Sequence, residues 1–153
     1  MRLLTAVMLA AMLGTASAAS VPNPVLGTWK LNMRKSHFSP GPSPQSQTRT
    51  YSPAADGMTV STSTVGADGK SSTRTFPARY DGKPFPVTGF DAVTAMALKK
   101  VDERTAEISL RHADKVIPTA KRIVSGDGKT MAITYERPGA DPAIHNVSIY
   151  DKQ

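Results

Sequence analysis

The sequence predicts an all-β domain. The expected form is an antiparallel up-and-down meander of about eight to nine strands, closed or flattened into a barrel, with a β-sandwich as the alternative. Turn chemistry is the first observation behind this. Asp-Gly occurs at Asp56-Gly57, Asp68-Gly69, Asp81-Gly82 and Asp127-Gly128, and this pair readily takes the positive φ angles of tight turns. Further polar breaks fall at Val101-Asp102-Glu103-Arg104, Ala113-Asp114-Lys115 and Pro138-Gly139-Ala140-Asp141, and most breaks are 11 to 14 residues apart. That is the spacing of consecutive antiparallel strands. The second observation is an alternation of apolar and polar residues with period two, which gives a sheet one buried and one solvated face. A meander of this length has two edges to protect, and closing into a barrel removes them.

Taken in order, the predicted strands are 27–33, 45–52, 58–66, 70–80, 92–100, 105–112, 115–125, 129–137 and 143–151. Met58-Thr59-Val60-Ser61 alternates, and Arg74, Phe76, Ala78 and Tyr80 share a parity. The Ala-rich piece Asp91 to Leu98 fits a strand better than a short helix. Ala106, Ile108 and Leu110 face one way, and Met131, Ile133 and Tyr135 do the same in a later strand. Pro118 inside a strand points to an edge or a bulge. Between the first two strands, Ser39-Pro40-Gly41-Pro42-Ser43-Pro44 lacks ladder donors at its three prolines and reads as an extended surface strap. Lys83 to Phe90 reads as a loop carrying Phe85 and Phe90.

The first 18 residues stand apart. Arg2, the short apolar run Leu3 to Leu13 and the small-residue site Ala16-Ser17-Ala18 have the form of a cleavable secretory signal peptide. The run is too short to span a bilayer stably, and no transmembrane segment is expected in the mature chain. Residues 19–153 then form a single domain, and loss of Arg2 lowers the formal net charge from +7 to +6. Absence of cysteine excludes a disulfide scaffold, a Cys-ligated metal centre and a thiol enzyme. An exported chain without disulfides is expected in the bacterial periplasm or outside the cell.

Gly27-Thr28-Trp29-Lys30-Leu31 resembles the first strand of the lipocalin and fatty-acid-binding protein barrels, whose Gly-x-Trp closes one barrel end. The run Thr119-Ala120-Lys121-Arg122, the turn Asp127-Gly128-Lys129 and the closing Val147-Ser148-Ile149-Tyr150-Asp151 are similar to the C-terminal part of the fatty-acid-binding proteins. The resemblance implies a lipocalin-like, calycin-type barrel with a ligand carboxylate near Arg122 and Tyr150. Two departures weaken that site. Ser148 stands where the family has an arginine, and no helical lid is legible between Leu31 and Gln45. The chain also resembles a group of small secreted bacterial proteins of unassigned activity. That likeness rests on Gly27 to Asn32, Lys35-Ser36-x-Phe38, the Pro40-Gly41-Pro42 strap, Thr48-Arg49-Thr50-Tyr51 and Asn146 to Lys152; it implies export and carries no activity.

The residues themselves show little chemistry. His37, His112 and His145 lie on separate elements without metal-ligand spacing, so no metal is expected, and no cofactor. Gly-x-Ser-x-Gly and Ser-x-x-Lys are missing, and no catalytic residue is assigned. The basic residues are scattered beside turns, and nucleic acid is not an expected partner. Arg122 either shares an inner face with Ala120 and Val124 or lies outside beside Lys121. Facing inward, it would need an anion or a carboxylate to offset its burial. The expectation is therefore a non-enzymatic protein binding a small apolar or amphipathic molecule, with Arg122, Tyr135, Tyr150 and Trp29 as candidate ligand residues. The alternative is a cell-envelope module that meets an anionic envelope component through its surface, including the Phe85–Phe90 loop. An enzyme of unknown type is the third reading.

Overall fold

The computed structural model describes residues 23–39, 41–89, 93–113, 115–137 and 145–153, excepting the side chains of 116–118. Residues 1–18, where a signal peptide is expected, Pro40, Phe90 and the break at 138–141 lie outside the described residues.

The chain folds into ten antiparallel strands: β1 Gly27–Leu31, β2 Ser46–Ala54, β3 Gly57–Val65, β4 Ser71–Ala78, β5 Phe85–Pro86, β6 Ala95–Lys100, β7 Thr105–His112, β8 Lys115–Val124, β9 Thr130–Glu136 and β10 His145–Lys152. All ten belong to one curled sheet in the order β4-β3-β2-β1-β10-β9-β8-β7-β6-β5. The barrel expectation therefore holds, and the two-sheet sandwich does not. Each strand pairs with its neighbour in sequence except β4 with β5, while β1 and β10 join the two ends of the chain.

A seam remains between β4 and the β5–β6 edge. It is pinned at one end by a bridge between Asp81 and Lys99 and by the Gly82 N–H donating to the Leu98 carbonyl at 2.8 Å. Asp81-Gly82 is thus where the chain crosses the seam. The other three Asp-Gly pairs lie at hairpin turns, and the Asp127 carboxylate shows why the pairing suits a turn. It accepts from the Ser125 hydroxyl and from the Lys129 N–H at 3.0 Å, and the hydroxyl contact foremost holds its pKa below the usual value.

Two local features sharpen the sequence reading. Thr119 pairs with Ser109 while Val116 pairs with Arg111, so Ile117 and Pro118 together face Leu110: the expected irregularity at Pro118 is a bulge in an inner strand. The Lys83–Phe90 stretch, in contrast, is not wholly a loop. Phe85 and Pro86 pair with Met96 and Ala95 as a tenth strand. Phe85 and Val87 are each only 7% exposed. Phe85 is therefore core and not available as a surface hook.

The buried face alternates as period two requires. Its core runs through Trp29, Leu31, Tyr51, Val60, Met131, Ile133 and Tyr150, drawn from β1, β2, β3, β9 and β10. Among the described residues there is no helix. Where a lid would sit, the chain after β1 turns at Asn32–Ser36 and runs beside β10, His37 exchanging two 2.8 Å backbone hydrogen bonds with Val147. The Ser39 N–H donates to Asn146 Oδ1 at 2.7 Å. The Pro-rich strap is thereby fastened over one end of the barrel.

Candidate functional site

The two barrel ends differ in chemistry. At the end away from the strap, Trp29 is 0% exposed and its indole Nε1–H donates to the Val25 carbonyl at 2.8 Å. Val25, Met58, Ala78, Val124 and Met131 are buried with it. Lys152 Nζ lies 5.1 Å from the centre of the indole, capping it from outside. Trp29 thus seals an end of the barrel and lines neither of the interior cavities described next.

Inside lies a cavity of about 280 Å³, lined by apolar side chains such as Val60, Phe76, Met96 and Leu98 and by Arg49, Arg74 and Arg122. No Asp or Glu among the described residues lines it. Arg122 projects inward from β8 and is 5% exposed, which decides between its two sequence alternatives. Its Nη1 donates to the Tyr80 hydroxyl. Its guanidinium carbon lies 5.4 Å from the Tyr51 ring centre and 5.2 Å from that of Tyr80. Its Nε is buried and has no hydrogen-bond partner. These contacts place Arg122 at the floor, one inward position before Val124 of the sealed end.

Under the strap lies a second cavity of about 300 Å³, bordered by Phe38, Pro42, Pro44, Asn146, Ser148 and Tyr150. Gln47, Arg49, Thr64 and Tyr135 line both cavities and form the partition between them. Arg49 Nε donates to Gln47 Oε1 at 3.2 Å and to the Tyr150 hydroxyl at 3.1 Å, and its Nη2 to the Tyr135 hydroxyl at 3.4 Å. The Tyr150 hydroxyl donates to Gln47 Oε1, and Gln47 Nε2 donates to Thr64 Oγ1 at 2.9 Å. Burial is the main cause that pushes the Tyr150 and Tyr80 phenols above their ordinary pKa, with Arg49 and Arg122 respectively opposing it. Both phenols therefore stay neutral and supply no counter-charge. Desolvation works against the Arg49 charge, but its hydroxyl-rich surroundings outweigh it and hold the pKa well above the usual value. Neither Arg49 nor Arg122 has a carboxylate within 4.0 Å among the described residues; the ion pairs present, such as Lys100–Glu103 and Lys35–Asp151, lie on the surface.

Arg122 and Tyr135 thus line the inner cavity, and Tyr150 stands at the mouth. Ser148 is buried beside it at 4% exposure. The cation that touches Tyr150 comes from β2, as Arg49. Sequence reasoning passed over Arg49, Gln47 and Tyr51, although their shared parity in Gln47-x-Arg49-x-Tyr51 was a usable signal. Tyr80 carried the same kind of signal through its parity with Arg74. His37, His112 and His145 are exposed on separate elements. A third hollow, of about 420 Å³ on the outer face of β7–β9, includes Glu107, Lys121 and Glu136. Those three charged residues are exposed.

No protein-family model and no curated protein sequence matches the chain. Solved structures do. As-p18, described as an extracellular fatty acid binding protein, is 17% identical, with a TM-score of 0.61 over 88% of this chain and 100% of that one. The secretory abundant heat soluble protein 4 of Ramazzottius varieornatus is 15% identical, with a TM-score of 0.57 over 89% and 99%. The fatty-acid-binding protein of Manduca sexta is 20% identical, with a TM-score of 0.53 over 83% and 98%. At these identities the likeness speaks to architecture alone: the chain has the calycin fold of the fatty-acid-binding proteins.

Proposed function

We propose that this chain is a non-enzymatic binding protein for a small amphipathic anion, taken into the barrel with its headgroup against Arg122 and its apolar part along Val60, Met96 and Leu98. The observation that carries this reading is Arg122 itself. A guanidinium 5% exposed, with a buried unpartnered Nε and no carboxylate nearby among the described residues, faces a cavity whose walls are otherwise largely apolar. Burying such a charge costs several kcal/mol unless an anion offsets it. A carboxylate or similar group would supply charge-assisted hydrogen bonds there. The description of two similar structures as fatty-acid-binding proteins, and of a third, 13% identical, as a bile-acid-binding protein complexed with cholic acid, supports the same class of ligand.

Export as a single domain of residues 19–153 is part of the proposal. It rests on the N-terminal leader pattern, and two similar structures are described as extracellular and secretory.

The test is competition against an environment-sensitive apolar dye, using octanoate, octanol and octylamine with the wild type and with Arg122→Met. Octanoate should displace the dye, octanol more weakly and octylamine least, and the order should flatten in the variant. Equal displacement by all three, or by none, overturns the reading.

A further inference from the structure

The interior holds more positive charge than one headgroup answers. We propose that its preferred ligand is a short amphiphile with two anionic groups joined by an apolar spacer, one group held at the floor by Arg122 and the other at the mouth by Arg49. This rests on the reading that the interior takes an amphipathic anion.

Three observations carry it. First, both guanidiniums line the same cavity, and neither has a carboxylate partner among the described residues. The groups they do touch, Tyr80 for one and Gln47, Tyr135 and Tyr150 for the other, are neutral amides and phenols. Second, the two charges sit at different levels. Arg122 lies over Tyr51 of β2, whereas Arg49 is two residues nearer the strap on that strand, roughly 7 Å along it. They share no hydrogen-bond partner, so one compact carboxylate would not serve both in bidentate fashion. Third, most of the remaining wall of the cavity is apolar, with Val60, Phe76, Met96, Leu98, Ile108 and Leu110 beside Thr62 and Arg74. That wall suits a hydrocarbon spacer and repels a continuous polar chain. A volume of about 280 Å³ lies at the small end for ligand cavities and favours a short molecule.

The experiment is calorimetric titration of the wild type with octanoate and octanedioate at equal ionic strength. Octanedioate is expected to bind at least about tenfold more tightly, the worth of one added charge-assisted contact. Arg49→Gln should weaken octanedioate about tenfold more than it weakens octanoate. Octanoate binding as tightly as octanedioate, or more so, overturns the two-anion proposal and leaves the amphipathic-anion reading standing. Binding of neither ligand overturns both. The wild-type comparison alone decides the matter if Arg49→Gln fails to fold.

Discussion

The two ends of this barrel are built from opposite materials. Trp29 belongs to a buried apolar cluster with Val25, Val124 and Met131, although its cross-strand partner on β2 is Arg49, and the one polar atom of the indole is satisfied by Val25. From Arg122 up to the strap, the same inward-facing positions of the same strands carry Arg49, Gln47, Thr62, Tyr135 and Tyr150. Strand β2 shows the change within a few residues: Tyr51 joins the core, while Arg49 and Gln47 line the cavities. The difference teaches that the dry apolar packing and the proposed binding site draw on different parts of the interior. A chain without cysteine needs one end packed dry, and it can then tolerate buried charge at the other.

The largest effect should come from the sealed end. Trp29→Ala removes a fully buried indole and should cost about 3–5 kcal/mol in denaturant unfolding. A loss under 1 kcal/mol would mean that the seal is not the stabilising half. At the polar end the sign should differ. Arg122→Met replaces a buried, unneutralised charge by an apolar chain of similar length and should leave ligand-free stability unchanged or raise it by about 1 kcal/mol, while removing anion binding. A loss of several kcal/mol would show that Tyr80 and Tyr51 already compensate the charge.

The smallest effect is a pH dependence. Tyr80 and Tyr150 have raised pKa values in the fold relative to the ordinary 10.0, so the folded state holds these protons longer than the unfolded one. Their contribution is fully present below pH 10.0 and is lost as pH climbs through the raised values. A stability flat from neutral pH through the alkaline range would contradict it, and Tyr150→Phe should reduce the slope.

Much of this was legible in the strand pattern. Alternation at Ala106-Ile108-Leu110 and Met131-Ile133-Tyr135 is local and survives into the sheet as β7 and β9. Pro118 announced an edge or a bulge, because a residue without an N–H disturbs a ladder wherever it falls, and the fold has the bulge. Trp29 and Arg122 were visible as candidates, but which one would meet a cavity depended on position along the barrel axis, which parity does not encode. Arg49 was harder to read. Its meeting with Tyr150 joins residues 101 apart in sequence, through a sheet in which β1 lies between β2 and β10. Nothing local to Gln47-x-Arg49-x-Tyr51 marks that neighbour. Strand β5, two residues long and carrying a proline, lies below what alternation can detect.

The central claim is that the interior binds an ionised headgroup beside a buried guanidinium, and the headgroup itself can be made to report. Octanoate labelled with carbon-13 at its carboxyl, bound to the protein and titrated by NMR, should stay ionised well below the ordinary carboxylate range of roughly 4 to 5. Arg122→Met should abolish that behaviour. A bound carboxyl that titrates at or above its ordinary value in the wild type would contradict the claim.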